Sequence, residues 1–248
     1  MKYGTGTAAV EVNVATRAAL FQALRARFAK GQGFALATLN LDHLTKLPRN
    51  AGFAAAYHAQ DLIVADGRPV VWLSQLAKQP VELMPGSDLI LPLCELAAAH
   101  SLPVAFFGSD EGALQGAAAA LRTHLPGLEI CHIAAPPMGF DPESAEADTA
   151  LREIAQSGAR LCFLALGAPK QEILAARGRD IAPGVGFASI GAGLDFLAGR
   201  QRRAPKWMRM LALEWLWRAM QSPQRLVPRY ARCFAILPRL TLAAWRAR

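Results

Sequence analysis

Between residues 33 and 190 the chain alternates short, uninterrupted apolar runs with stretches whose apolar residues recur at helical spacing. The runs at 33–39 (GFALATL), 61–65 (DLIVA), 103–108 (PVAFFG), 128–133 (LEICHI), 160–167 (RLCFLALG) and 184–190 (GVGFASI) read as buried strands. Residues 110–125 and 143–157, both Ala-rich, read as helices, and 89–100 as an apolar-rich third. Strands without polar alternation, separated by helices, imply a mostly parallel sheet covered on both faces. The expected class is α/β: a Rossmann-like, doubly wound sheet. No internal repeat is visible.

The 248 residues are 53% hydrophobic and 19% charged, which excludes a disordered chain and suffices for a sizeable core. The longest runs free of Asp, Glu, Lys and Arg, 96–109 and 181–194, are 14 residues each. Both fall short of the roughly 18–20 residues of a spanning helix. The N-terminus has no apolar signal core, so a cytoplasmic location is expected. Cys94, Cys131, Cys162 and Cys233 form no CxxC pair and read as reduced core thiols.

In such sheets ligands collect outside the carboxyl ends of the strands, and three of those ends carry polar residues. Thr38 and Asn40 flank Leu39 and share one face of an extended chain; Asn40 or Asp42 can equally cap a following helix. Asp66 closes DLIVA ahead of Gly67. Asp-Gly is a common turn dipeptide, yet a carboxylate at a strand tip can also take the proton of an attacking hydroxyl. Ser87 and Asp88, in PGSD, can cap the helix that follows, and a glycine beside a helix N-terminus also suits phosphate or hydroxyl. In GAPKQE (167–172), Pro169 suits a first helical turn and leaves Lys170 and Gln171 at a helix N-terminus, where a diphosphate is favoured. This is no P-loop, since GxxxxGK[ST] is absent. Gly184, Gly186, Gly191 and Gly193 spell no GxGxxG, which weakens a nicotinamide oxidoreductase reading. Asp195 can bind a ribose or only fix its loop. No DxD occurs, the five histidines join no nucleophile motif, and neither a metal nor a cofactor is expected.

Charge sets the C-terminus apart. Residues 1–199 hold 15 Lys and Arg against 18 Asp and Glu, a balance of −3. Residues 200–248 hold 12 against one, a balance of +11, and carry four of the five tryptophans. The chain therefore divides into an α/β domain, 1–199, and a basic, Trp-rich helical appendage, 200–248. A helix is expected over 206–220, with Trp215 and Trp217. Beyond it Arg225, Arg229, Arg232, Arg239 and Arg246 fall within about 100° on a continuous helix, although Pro228 and Pro238 are expected to break the rod. Such a tail should meet phosphates, on a nucleic acid or a membrane. Arginine beside Trp and Leu favours the membrane surface.

Together TLNLDHL (38–44), VADG (64–67), PGSDL (85–89), FFGS (106–109), GAPKQE (167–172), GAGLDFLAG (191–199), RAPKWM (203–208) and LEWLWR (213–218) resemble the WecG/TagA/CpsF glycosyltransferase family over residues 33–232. The resemblance implies an inverting, metal-independent enzyme that moves a sugar from a UDP-sugar to a polyprenyl-diphosphate-linked sugar in surface polysaccharide or exopolysaccharide assembly. It implies peripheral attachment to the inner face of the cell membrane through the appendage, with no nucleic-acid partner; self-association stays open. It places the catalytic base on Asp66, polar active-site roles on Thr38 and Asn40, a substrate role on Gln171 and diphosphate binding on Arg203. Lys170, Ser87, Asp88, Gly191 and Asp195 are further substrate-binding candidates. Arg225, Arg229, Arg232, Trp215 and Trp217 are membrane-binding candidates. Ala212 and Ser222 depart from the family's usual Gly and Glu, both within the appendage.

Overall fold

The computed structural model describes residues 1–4, 6–200, 204, 205, 208 and 213–248, the side chains of 214 and 225 excepted. A small antiparallel pair, β1 (Lys2–Tyr3) and β2 (Val10–Glu11), precedes α1 (Arg17–Ala29). Then follow β3 (Phe34–Leu39), α2 (Leu41–Lys46), α3 (Ala51–His58), β4 (Leu62–Ala65), α4 (Arg68–Leu76), α5 (Gly86–Ala99), β5 (Val104–Gly108) and α6 (Glu111–His124). The α/β part closes with β6 (Ile130–Ala134), α7 (Ala145–Gln156), β7 (Leu161–Ala165), α8 (Lys170–Ile181), β8 (Gly186–Ser189) and α9 (Gly193–Leu197). Two described helices complete the chain, α10 (Glu214–Gln221) and α11 (Pro223–Arg246).

Six strands make one parallel sheet in the order β4-β3-β8-β7-β5-β6. Each falls on one of the six apolar runs, starting one or two residues later, and β6 runs one residue beyond its run. The runs lack polar alternation because both faces are buried. Phe34, Leu36, Leu62, Val64, Phe106 and Phe163 pack against α1, α5 and α6. Ala35, Cys162, Leu164 and Phe187 face α7 and α8, and Ala37, Leu39, Ile63 and Ala65 face α2, α3 and α4. The segments leaving β3 and β8, neighbours in the sheet, go to opposite faces: Leu44 and Phe53 join the α2–α4 layer, Leu194 the α5–α6 layer. Such a reversal opens a crevice at the carboxyl ends of the strands.

The C-terminal segment departs from expectation in one respect. α11 runs unbroken through Pro228 and Pro238. Each proline removes a backbone bond and crowds the preceding turn, but both lie on the exposed side, as do Gln224 and Phe234, whose carbonyls they free. Water can satisfy those carbonyls, while Leu226, Cys233 and Ala244 are buried on the other side. Cys233 and Ala244 belong to the same apolar cluster as α2, α3 and α4. Of the helix expected over 206–220, only residues 208 and 213–220 lie within the described residues, the latter mostly in α10. Among the described residues no helix is long and apolar enough to cross a membrane.

Candidate active site

β3 and β4 carry the polar residues of the crevice to adjacent strand tips. Thr38 pairs with Val64 and Leu39 with Ala65. The ladder extends one step further, the Asp66 N–H donating to the Leu39 carbonyl at 2.8 Å. Gly67, at φ +95°, then turns the chain into α4, a conformation open to glycine at little cost. Asp66 is thus held at the mouth of the sheet by backbone on both sides.

Asn40 has two roles that sequence left as alternatives. Its backbone is extended, and its Oδ1 accepts the His43 N–H at 3.1 Å, capping α2. With the oxygen so engaged, the amide nitrogen points the other way and donates to Asp66 Oδ2 at 3.4 Å. Asp42 is not the cap. It is buried in the first turn of α2, where Lys46 lies at 2.8 Å and Arg229 of α11 at 3.0 Å. Burial alone would raise the Asp42 pKa, but the two cations outweigh it and hold the carboxyl below its ordinary range. Thr38 is buried, and its carbonyl accepts from the Tyr57 hydroxyl at 3.3 Å.

The GAPKQE turn follows the tip of β7. Gln171 is buried and both ends of its amide are engaged: Oε1 accepts the Gly191 N–H at 3.1 Å, and Nε2 donates to Glu172 Oε1 at 2.8 Å. It therefore ties the start of α8 to the glycine loop beyond β8. Lys170 turns toward the β6–α7 connection and donates to the Phe140 carbonyl at 2.6 Å. Lys46 reaches across from α2 to the Ala168 carbonyl at 3.2 Å, so α2 and this turn are directly joined. Pro169 precedes the helix as its cap residue, and α8 begins at Lys170.

The remaining candidates close the ring. α5 starts at Gly86, three residues before the expected start, and its cap is Pro85, so neither Ser87 nor Asp88 caps it. They lie in its first turn instead. A side chain at Gly193 would approach the Ser87 Cα to 3.2 Å, so PGSD and the glycine loop lie against each other. Asp195 accepts from the Ser109 hydroxyl at 2.5 Å, with Ser109 itself at φ +51°. Arg203 lies outside the described residues, as does the side chain of Arg225.

Three buried residues here were not singled out from sequence. Glu172 is fully enclosed, and burial pushes its carboxyl up to about 7. His43 and Tyr57 pair under the Asn40 cap, Nδ1 lying 2.7 Å from the hydroxyl. Glu172 sits inside the GAPKQE motif, but nothing in a linear pattern says that its side chain turns inward. The Asn-x-x-His spacing of Asn40 and His43 is the only sequence signal for the latter.

On the appendage, Trp215 meets Tyr230 and Phe234 edge-on at 5.7 and 5.1 Å. Trp217 is half-buried. Arg229 leaves the expected arginine stripe for Asp42, whereas Arg232, Arg239 and Arg246 are exposed along one side of α11. On the other flank of the helix's exposed side, Val227, Phe234, Leu242 and Trp245 expose apolar surface.

Strand-tip carboxylate, amide and glycine loop, together with the helices at the C-terminus, all fall within residues 7–248, the span matched by the model of the glycosyl transferase WecG/TagA/CpsF family. The chain belongs to that family, whose members are glycosyltransferases of polysaccharide assembly.

Proposed function

We propose that the chain transfers a sugar from a UDP-sugar to a polyprenyl-diphosphate-linked sugar at a membrane surface, with inversion and with Asp66 as the general base. The observation that carries this reading is the strand-tip pairing of Asp66 with the Asn40 amide. The acceptor hydroxyl oxygen attacks the anomeric carbon, its proton passes to Asp66, and the bond to the diphosphate oxygen breaks, UDP leaving with the electron pair. A carboxylate positioned for the incoming hydroxyl supplies what a single displacement needs.

Gln171 holds the Gly191 loop against α8, and Ser109 holds Asp195, so both shape the donor pocket. Ser87 and Asp88 border the same loop, and Lys170 fixes the β6–α7 connection beside it. Arg203 meets the donor diphosphate. The outward side of α11 lies on the membrane: Phe234, Leu242 and Trp245 enter the interface while Arg232, Arg239 and Arg246 meet anionic headgroups.

The test is UDP release from a panel of UDP-sugars in the presence of a short-chain polyprenyl-diphosphate sugar, with wild type and Asp66→Asn. The variant should lose about 10²–10⁴ in kcat, the usual worth of a general base, with donor affinity little changed. Near-normal turnover of Asp66→Asn would remove Asp66 from the role, and no release with any donor would overturn the activity.

A further inference from the structure

His43 is buried in α2, its ring edge-on to Phe53 and Tyr57 at 5.7 and 5.8 Å. Its two nitrogens do different things. Nδ1 lies 2.7 Å from the Tyr57 hydroxyl, and that hydroxyl donates its single proton to the Thr38 carbonyl. The hydroxyl can then only accept from His43, so the ring proton sits on Nδ1. Nε2 is left as a bare acceptor, 3.4 Å from the Asn40 amide nitrogen. That nitrogen has two hydrogens: one faces Nε2, the other Asp66 Oδ2.

The arrangement admits one orientation of Asn40. Turned over, the amide would set its oxygen against both the Asp66 carboxylate and Nε2, and would lose the cap on α2. A proton on Nε2 would likewise face an N–H with an N–H. The groups around the ring keep it neutral. Burial acts first, Lys46 from its own helix and Arg229 from α11 add to it, and Asp42 and a hydrogen bond to the Thr38 backbone oppose, leaving the His43 pKa pushed down to about 3. Tyr57, which bears on the ring from α3, stays protonated because it is buried, with the charges of Glu172 and Asp66 adding to that effect.

We propose that His43 is a positioning residue for the transfer: its unprotonated Nε2 aims the Asn40 amide, and Asn40 in turn holds the Asp66 carboxylate in the orientation that takes the acceptor proton. This rests on Asp66 being the base. No proton passes through His43, and the ring touches neither substrate.

Two substitutions separate positioning from packing. His43→Gln sets an amide oxygen where Nε2 stands and gives up the Tyr57 contact. His43→Asn keeps a polar group toward Tyr57 and gives up the acceptor. Measured by UDP release, His43→Asn should lose about 10- to 100-fold in kcat, the scale on which supporting residues act, with the donor KM unchanged. His43→Gln should turn over at least about tenfold faster than His43→Asn at a similar melting temperature. Equal losses in the two, or losses that follow melting temperature, overturn the proposal. In an Asp66→Asn background His43→Asn should cost nothing further, because residues acting through one another are not additive. A full additional loss overturns the proposal while leaving Asp66 in place; normal turnover of Asp66→Asn alone instead removes the reading on which it rests. A readout independent of turnover is ¹⁵N NMR of the ring signal that disappears in His43→Asn. It should show a protonated Nδ1 and a bare Nε2 from about pH 5 to 8, the range in which an ordinary histidine titrates, and a proton on Nε2 in that range overturns the proposal.

Discussion

Replacing Glu172 with Gln tests the buried acid beneath the site without reference to any substrate. Glu172 Oε1 accepts from Gln171, while Oε2 is buried with no partner among the described residues. Desolvation is the leading cause of its raised pKa; the Gln171 bond opposes it and does not prevail. The carboxyl titrates at 4.5 in the unfolded chain and at about 7 in the fold. Between those values the folded state binds the extra proton, so stability contributed by this group is present below pH 4.5 and falls as pH rises to about 7. At about 1.4 kcal/mol per pH unit the loss comes to about 3 kcal/mol. For a chain of this length that is roughly 6–12 °C in Tm. His43 works in the opposite sense. Its folded pKa is about 3 against 6.5, so its contribution is lost as pH falls below 6.5. The two slopes nearly cancel between about pH 4.5 and 6.5 in the wild type. Glu172→Gln, neutral throughout, should expose the histidine slope, and its stability should gain about 3 kcal/mol on the wild type from pH 4.5 to pH 7. Urea unfolding at a series of pH values measures this difference directly. A variant whose curve runs parallel to the wild type would show that Glu172 is ionised in the fold at ordinary cost, and the reasoning would fail.

Three further outcomes follow from the site and the appendage. The sequence has no DxD, and among the described residues no three His, Cys, Asp or Glu side chains gather as metal ligands, so UDP release should persist in EDTA; loss on chelation with rescue by Mg²⁺ or Mn²⁺ would refute it. Reversing Arg232, Arg239 and Arg246 to Glu should weaken binding to anionic liposomes at least about 100-fold, from ~1 kcal/mol per arginine, while transfer to a soluble acceptor analogue persists. Arg203→Ala should do the reverse, and unchanged liposome binding in the triple reversal would refute the placement of α11 on the membrane.

How much was legible in the sequence depends on whether a residue acts through its neighbours in the chain or across the fold. The six strands are legible because two-sided burial removes all alternation, and Asp66 and Asn40 stand out as polar residues at the ends of such runs. The helix starting at Gly86 was placed late because its first turn, Gly86-Ser87-Asp88, looks like a cap rather than a helix. Asn40 was read as either cap or site residue, and the two turn out to be one arrangement: the cap bond takes the oxygen and so aims the nitrogen at Asp66. Arg229 could not be told from its stripe. At 100° per residue it falls beside the other arginines, and only the position of Asp42, 187 residues earlier in the chain, draws it inward.

That inward arginine bears on how the two ends of the chain depend on each other. α11 packs on α2 and α4, and these are the helices that begin at the two polar strand tips: α2 directly after Asn40, α4 directly after Asp66-Gly67. Asp42, in the first turn of α2, is buried between Lys46 and Arg229, and Lys46 also holds the Ala168 carbonyl of the GAPKQE turn. Withdrawing α11 would leave Asp42 with one cation in place of two and uncover Cys233, Ala244 and their partners on α4. Arg229 is therefore poorly suited to meet lipid, since reversing its charge would set a carboxylate against Asp42. Its neighbours three, ten and seventeen residues on, Arg232, Arg239 and Arg246, are exposed. The same helix thus exposes Arg232, Arg239 and Arg246 on one side while its other side packs on the two helices that begin at the polar strand tips.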